Sequence, residues 1–248
     1  MLVSMKKKML LSWSSGKDSA WMLHVLRQQD AFELAGLLTT VNSAFNRVAM
    51  HGTRFELLEA QAAAAGLPLI AVPLPWPCSN TDYEAIMKKA YAEAVARQVE
   101  VIAFGDLFLR DIRAYREKQL ESSGLTPIFP LWEMPTRSLA EQMIDGGLKA
   151  KLTCIDPKHL SKDFAGREFD RRLLAEMPAS VDPCGENGEF HSFAYAGPIF
   201  SQEIKVKRGE ILERDEFVYA DIEALKEPTK TMRKRQWLEG LMPSVRKL

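Results

Sequence analysis

The sequence predicts an α/β protein, a doubly wound parallel sheet followed by a smaller C-terminal α+β domain. Three observations carry the prediction. Apolar runs of strand length alternate with helical patterns through the first half of the chain, the mark of a parallel sheet covered on both faces. The polar stretch "SWSSGKDS" at 12–19 stands where the first strand hands over to the first helix. Beyond about residue 125 the alternation gives way to prolines, glycine-rich turns and paired strand patterns.

Taken in order, the apolar runs at 9–13, 34–41, 67–74 and 99–104 read as buried strands. Helical patterns lie between them at 19–29, 53–65 and 81–98. Thr53 with Glu56, and Thr81 with Glu84, have the spacing of a capping box, in which the two side chains satisfy free amides of the first turn. A helix at about 111–122 leads to "LTPIFPLW", whose prolines mark an edge strand or a non-strand. Another helix opens near Thr136, with Ser138 and Glu141 as its cap. From Leu148 there follow a short strand-like run, a charged helix around 166–177 and the turn "DPCGENGEF". The stretch "FSQEIKVKRGEILERDEFVYADI" then reads as strands joined by a tight Arg-Gly turn. The chain divides into 1–125, 126–225 and a basic tail at 226–248, read either as a solvated terminal segment or as an arm for a partner.

With 248 residues the chain can bury a sizeable core. Its 33 basic and 33 acidic residues give a net charge of zero, so no whole-molecule field points to nucleic acid or to a membrane surface. The three cysteines, Cys78, Cys154 and Cys184, form no C-x-x-C pair for zinc or disulfide exchange, and their sparse, odd number suits a reducing compartment. The opening "MLVSMKKKMLLSW" is too short an apolar stretch for a signal peptide, and no run approaches the roughly 20 apolar residues of a membrane span. A soluble, cytoplasmic protein is the expectation.

The loop at 12–19 fails as a Walker A motif, because Asp18 rather than a hydroxyl follows Lys17 and Leu11 stands where the first glycine belongs. It fits S-x-G-x-D-S instead: Ser14, Ser15, Gly16, Lys17, Asp18, Ser19. Small residues before a helix let backbone amides approach an anion, and the helix terminus adds partial positive charge. Lys17 can neutralise a phosphate oxygen, and Ser14 and Ser19 can donate hydroxyl hydrogen bonds. The plainer reading is a strand-to-helix turn capped by Asp18 or Ser19. Position favours a nucleotide, since ligands of doubly wound sheets lie beyond the carboxyl ends of the strands.

Other stretches admit two readings each. In "MHGTR", His51, Gly52 and Arg54 either edge a nucleotide site or form a capped turn. In "FGD", Gly105 ends a strand at the same sheet edge, and Asp106 either holds magnesium or caps the following turn; Asp18 is a second candidate ligand. Arg113 or Arg116 can steady negative charge or face solvent. "DPCGENGEFHSF" gathers Glu186, Asn187, Glu189 and His191 and is otherwise a Gly-Asn turn before a strand.

Together these stretches carry a resemblance. "SWSSGKDS" is similar to the PP-loop of the ATP pyrophosphatases of the adenine nucleotide alpha hydrolase superfamily, whose usual form is S-G-G-x-D-S; Ser15 replaces the first glycine. With "LLTTVNSAFNRVAMHGTR", "FGDLFLRDIRAYRE", "FPLW" and "DPCGENGEFHSF", the ordered set resembles the diphthine-ammonia ligase family. The resemblance implies an ATP-dependent, AMP-forming amide ligase. ATP adenylates a carboxylate, pyrophosphate is held by the loop, and ammonia displaces AMP; in that family diphthine on elongation factor 2 becomes diphthamide. It implies a PP-loop nucleotide-binding domain at 1–125 and an acceptor-binding domain at 126–225. ATP and Mg2+ are the expected cofactors, with Ser14 to Ser19, His51, Gly52, Arg54 and Gly105 around the nucleotide and Asp18 and Asp106 around the metal. Lys17, Asp18, Glu186 and Glu189 are the expected catalytic set, with Glu186, Glu189 and Phe190 receiving the quaternary ammonium of diphthine. No separate amidotransferase domain or amino-terminal cysteine is visible, so free ammonium is the expected nitrogen donor. A homodimer is compatible with the sequence. Two alternatives stay open: a module that binds ATP or AMP without turnover, and a PP-loop adenylating enzyme with another carboxylate acceptor. A transfer-RNA thiolating enzyme fits less well, lacking paired cysteines.

Overall fold

The computed structural model describes residues 6–48 and 52–225; His51 and the basic tail at 226–248 lie outside the described residues. Strand β1 (Lys7–Ser12) runs through the middle of the parallel sheet because neither of its faces is polar: Met9 and Leu11 enter one apolar layer and Leu10 the other. The parallel order is β4 (Leu69–Leu74), β2 (Phe32–Asn42), β1, β5 (Val99–Ala103), β6 (Thr126–Ile128). A short β3 (Arg47–Val48) pairs antiparallel with the end of β2. Helices α1 (Lys17–Gln28) and α2 (Phe55–Ala65) pack on one face, and α3 (Asn80–Ala96) and α4 (Arg110–Leu120) on the other, which makes the sheet doubly wound. Pro127 sits in the edge strand β6, where a missing amide is tolerated.

After α5 (Thr136–Asp145) comes a second, antiparallel sheet in the order β8 (Phe190–Ala196), β7 (Lys149–Ile155), β10 (Phe217–Ala224), β9 (Val206–Arg214); α6 (Arg171–Glu176) lies between β7 and β8 in sequence. One apolar cluster joins the sheets: Ala20 and Leu23 of α1 pack in it with Ala150, Phe190, Ala194 and Val218. Helix α1 is thus clamped between the sheets, and whatever its first turn binds is fixed by both halves of the chain.

Several boundaries differ from expectation for local reasons. Helix α1 begins at Lys17, two residues early, so Lys17 and Asp18 belong to its first turn. Neither expected capping box forms. Ser79, whose hydroxyl accepts from the Asp82 amide, caps α3, and the Thr53 hydroxyl turns away to Ser15. Helix α5 has Pro135 at its cap position, and Glu141 accepts from Arg137 rather than joining Ser138. Helix α6 is shorter than the charged pattern suggests, because Asp170 caps it by accepting from the Leu173 amide. Arg208 and Gly209 lie inside β9; the chain turns at Asp215 and Glu216, both in the left-handed region with φ of 51° and 67°.

Candidate active site

The chain leaves β1, builds β2 and β4 on one side, and returns to place β5 on the other. The carboxyl ends of β1 and β5 therefore diverge into the crevice where doubly wound sheets bind ligands. A cavity of about 220 Å3 lies there, bounded by the loop at 14–19, by Phe104, Gly105 and Asp106 after β5, and by the loop at 184–192.

The loop at 14–19 is closely packed around the start of α1. Gly16 holds the cap position of α1 without a capping side chain. A Cβ on Gly16 would stand 3.3 Å from both Ser14 Oγ and the Ser192 carbonyl, and one on Gly105 would stand 3.4 Å from the Ser19 amide nitrogen, so both glycines permit close approach. Ser14 Oγ and Ser19 Oγ are 3.3 Å apart at the mouth. Ser15 adopts φ of 69°, a conformation that glycine takes freely and serine takes at a cost. Three contacts hold it there: its hydroxyl lies 2.8 Å from Thr53 Oγ1, and its carbonyl accepts from Gln61 Nε2 at 2.9 Å and from the Ala194 amide at 3.0 Å. Lys17 N donates to Ser192 Oγ at 3.2 Å. Gln61 lies in no motif, and Thr53 and Ser192 lie in stretches read for other roles; the three come from separate segments, which hid their shared contact with the loop at 14–19 in the sequence.

Because Ser15 and Thr53 are both buried, Thr53→Val should leave the Ser15 hydroxyl unpaired and cost about 1–3 kcal/mol of stability. Denaturant titration checks this: in a Ser15→Ala background the same change should cost almost nothing more.

Lys17 does not reach openly into the cavity. Its Nζ donates to both Asp18 carboxylate oxygens at 2.8 and 3.0 Å and to the Cys184 carbonyl, and it lies 5.1 Å from the Phe190 ring centroid. Burial opposes its charge, but Asp18, Cys184 and Glu186 outweigh burial and raise its pKa above the ordinary value. Burial also raises the Asp18 carboxyl, against the pull of Lys17. Glu186 accepts from the Leu107 amide at 2.7 Å; burial, helped by Asp18 and Asp106, pushes its carboxyl up to about 7. Burial and Lys17 hold His191 down at about 4, so its imidazole is neutral at pH 7. The buried thiol of Cys184 is pushed up and donates to the Thr136 carbonyl, which makes it a packing group rather than a nucleophile.

The raised Glu186 carboxyl gives a pH prediction. The folded state keeps this proton at a higher pH than the unfolded chain does, so the contribution to stability is full below the ordinary glutamate range. It is lost as pH rises through about 7. Glu186→Gln, which keeps the acceptor for Leu107, should flatten that part of the stability profile between about pH 4.5 and 7, measured as the denaturation midpoint at a series of pH values.

Several expected site residues sit elsewhere. Glu189 is 2% exposed and accepts from the amides of Asp182 and Asn187 and from Asn187 Nδ2, at 2.9 to 3.0 Å, so it is the pillar of its loop and not a receiver for a ligand cation. Phe190 is buried beside Lys17 and is among the residues lining the cavity. Gly52 and Arg54 are not brought to this cavity. Because β2 runs past the end of β1 and β3 folds back on it, Gly52 faces Tyr219 and Arg54 pairs with Asp221. Arg116 lines the cavity 3.7 Å from Asp106, whereas Arg113 is turned away onto Phe129 and Trp132. Among the described residues no group of three His, Cys, Asp or Glu side chains is placed to hold a metal. Both Asp18 oxygens are engaged by Lys17, which leaves Asp106 the less committed carboxylate. No helix among the described residues is long and apolar enough to cross a membrane.

The fold and this crevice define a class: a doubly wound α/β protein with a cavity at the strand–helix turn of its central strand. The chain belongs to the diphthamide synthase family, whose N-terminal domain profile matches residues 5–127 and whose C-terminal domain profile matches residues 135–227. It is similar to the diphthine-ammonia ligases of Bos taurus (24% identical, 62% of this chain and 60% of the relative) and Homo sapiens (25%, with 60% and 58%). A shorter stretch is 30% identical to that of Danio rerio, over 40% of each chain. The matches span about 60% or less of these relatives' length. A solved structure described as a predicted subunit of tRNA methyltransferase from Methanocaldococcus jannaschii aligns with a TM-score of 0.40 at 14% identity, over 77% of this chain and 99% of that one.

Proposed function

We propose that this protein is an ATP-dependent, AMP-forming amide ligase that converts a carboxylate, diphthine on elongation factor 2, to its amide with ammonium as nitrogen donor. The observation that carries the reading is the cradle at 14–19. It joins a helix start without a capping side chain to two glycines that let β8 and the segment after β5 pack closely around the first turn of α1, in a family whose matched relatives are diphthine-ammonia ligases. The β- and γ-phosphates rest against the first-turn amides of α1, with the Ser14 and Ser19 hydroxyls at the mouth. Attack of the acceptor carboxylate on the α-phosphorus forms an acyl adenylate and releases pyrophosphate. Ammonia then attacks the acyl carbon, and AMP departs with one oxygen of the original carboxylate.

Each chain residue has a part consistent with its place. Arg116, lining the cavity, offsets the charge that gathers on the phosphates. Glu186, its carboxyl near neutrality, takes the proton that ammonium must lose before it can attack. Lys17 ties the cradle to the loop at 184–192 through the Cys184 carbonyl, so cradle and loop move as one. Magnesium, which binds through one or two carboxylates plus phosphate oxygens and water, would enter with the nucleotide beside Asp106 and offset phosphate charge. The cytoplasm, where elongation factor 2 and ATP meet, is the proposed location. The division at residue 125 into nucleotide and acceptor halves belongs to the same reading.

The test is to incubate the protein with alpha-labelled ATP, magnesium and ammonium, with and without diphthine-bearing elongation factor 2. Acceptor-dependent AMP, and an acceptor lighter by the exchange of hydroxyl for amino, is the expected result. Binding of ATP without AMP under any acceptor would leave a nucleotide-binding module instead.

A further inference from the structure

A second cavity, of about 580 Å3, opens between the β2–β3 turn, the segment after β4, and strands β9 and β10; it shares no lining residue with the phosphate cavity. We propose that it holds an arginine side chain of the protein acceptor, close to the residue being modified. The proposal rests on the ligase reading for the identity of the acceptor, but not for the chemistry of the cavity.

The walls are aromatic and open. Phe45 is 49% exposed and Trp76 63%, with ring centroids 5.7 Å apart and planes at 64°; Leu212 and Tyr219 continue the surface. Three segments distant in sequence, the β2–β3 turn, the stretch after β4 and the β9–β10 hairpin, bring these groups together, and an apolar surface of this kind facing water marks a binding site. The volume suits one long side chain with its flanking peptide.

The structure already shows which chemistry the walls accept. The guanidinium of Arg214 lies 5.8 Å from the Phe45 centroid and 5.3 Å from that of Tyr219, within the range at which a cation gains from a ring face. Its Nε is 3.3 Å from the Asp215 carboxylate. Arg214 is itself 62% exposed, so the chain's own cation, held by Asp215 and by a hydrogen bond with Tyr219, rests at the solvent side of the cavity. An incoming guanidinium can take its place while Arg214 moves outward with Asp215. Thr153 Oγ1, on the wall and buried, has no hydrogen-bond partner among the described residues and can accept an N–H from the occupant. Arg47, the other arginine on the lining, pairs with Asp221 at 2.9 Å, so among the described lining residues each arginine already faces a carboxylate.

The cavity is coupled to the reaction site through Thr53, which lines it and also holds Ser15 of the cradle. An acceptor anchored here lies against the loop that holds the phosphates. The separate linings make the occupant a neighbour of the modified residue, not the reacting group.

The test follows the indole N–H resonance of Trp76, assigned with Trp76→Phe, while the protein is titrated with N-acetyl-arginine methylamide or with its neutral isostere, the citrulline counterpart. Arginine should shift the resonance and citrulline should not. Arg214→Ala, which removes the internal competitor and leaves Asp215, should tighten arginine binding several-fold. In turnover with the whole acceptor, Trp76→Ala should raise the acceptor KM about tenfold with ATP affinity unchanged. Equal shifts with citrulline, weaker binding in Arg214→Ala, tighter binding of choline than of arginine, or displacement of arginine by ATP would each overturn the proposal. Turnover with an unchanged acceptor KM in Trp76→Ala would overturn it too, and would leave the ligase reading standing. Arginine binding with the expected signs, but no amidation of the factor, would instead remove the ligase reading and keep the cation site.

Discussion

Replacing Lys17 by methionine is expected to lower stability by about 3 kcal/mol, or roughly 6–12 °C in Tm for a chain of this size, and to abolish turnover. Lys17 is 2% exposed and holds the Asp18 carboxylate at 2.8 Å. Methionine fills much of the same volume but supplies no charge, so the Asp18 carboxyl, already raised by burial, loses the partner that opposed the rise and must either take up a proton or stay charged in a poorly hydrated place. That is the situation in which breaking a pair costs more than the pair contributes. Asp18 keeps 27% of its side-chain surface exposed, which sets the expected loss at the low end of the range for buried pairs. The same change frees the Cys184 carbonyl and loosens the loop at 184–192 from the cradle. A companion variant separates the causes: Lys17→Met with Asp18→Asn should recover part of the stability and none of the turnover. Full retention of stability in Lys17→Met alone would mean that Asp18 escapes to solvent and that Lys17 is not the tie described.

The second large effect is expected from Gly16→Val, which should weaken ATP binding roughly a hundredfold, the equivalent of two lost amide–phosphate bonds of about 1.5 kcal/mol each. The backbone at Gly16 is extended, with φ of −82° and ψ of 173°, so valine is conformationally acceptable and the protein should fold. The difficulty is space. A Cβ there already stands 3.3 Å from Ser14 Oγ and from the Ser192 carbonyl, and the two methyl groups beyond it must project toward the cradle or push Ser192 off the Lys17 amide. Calorimetric titration with ATP measures the loss. An unchanged affinity in the folded variant would put the nucleotide somewhere else, and the aromatic cavity beside Tyr219 would be the next place to look.

What the sequence disclosed followed from local chemistry. The four buried runs and the helices between them are each continuous in the chain, and each appears within a residue or two of its expected place. Turn and cap chemistry was less legible. Thr53 has the spacing of a capping box, yet a buried serine hydroxyl 2.8 Å away takes its side chain, because Ser15 at φ of 69° needs that contact more than the helix needs its cap. Arg208-Gly209 looks like a hairpin turn, but glycine is also tolerated inside β9, and Asp215 with Glu216 made the turn instead.

Roles that depend on direction were hidden for a different reason. A lysine in a small-residue loop before a helix reads as a phosphate ligand, and only the three-dimensional arrangement shows Lys17 bent back onto Asp18 and Cys184. Glu189 stands in a polar turn and reads as a ligand group, whereas the amides of its own loop enclose it. Phe45, Trp76, Thr153 and Tyr219 come from four segments, and no spacing in the chain announces that they share a cavity.

The central claim is that the acceptor carboxylate attacks the α-phosphorus of ATP at the cradle formed by residues 14–19. Its most direct test uses acceptor protein whose diphthine carboxylate carries heavy oxygen, with ammonium and ATP, and follows the label by mass spectrometry. The account predicts AMP bearing one heavy oxygen for each amide formed, with unlabelled pyrophosphate. Heavy oxygen in inorganic phosphate with release of ADP, or amide formation with unlabelled AMP, would contradict it.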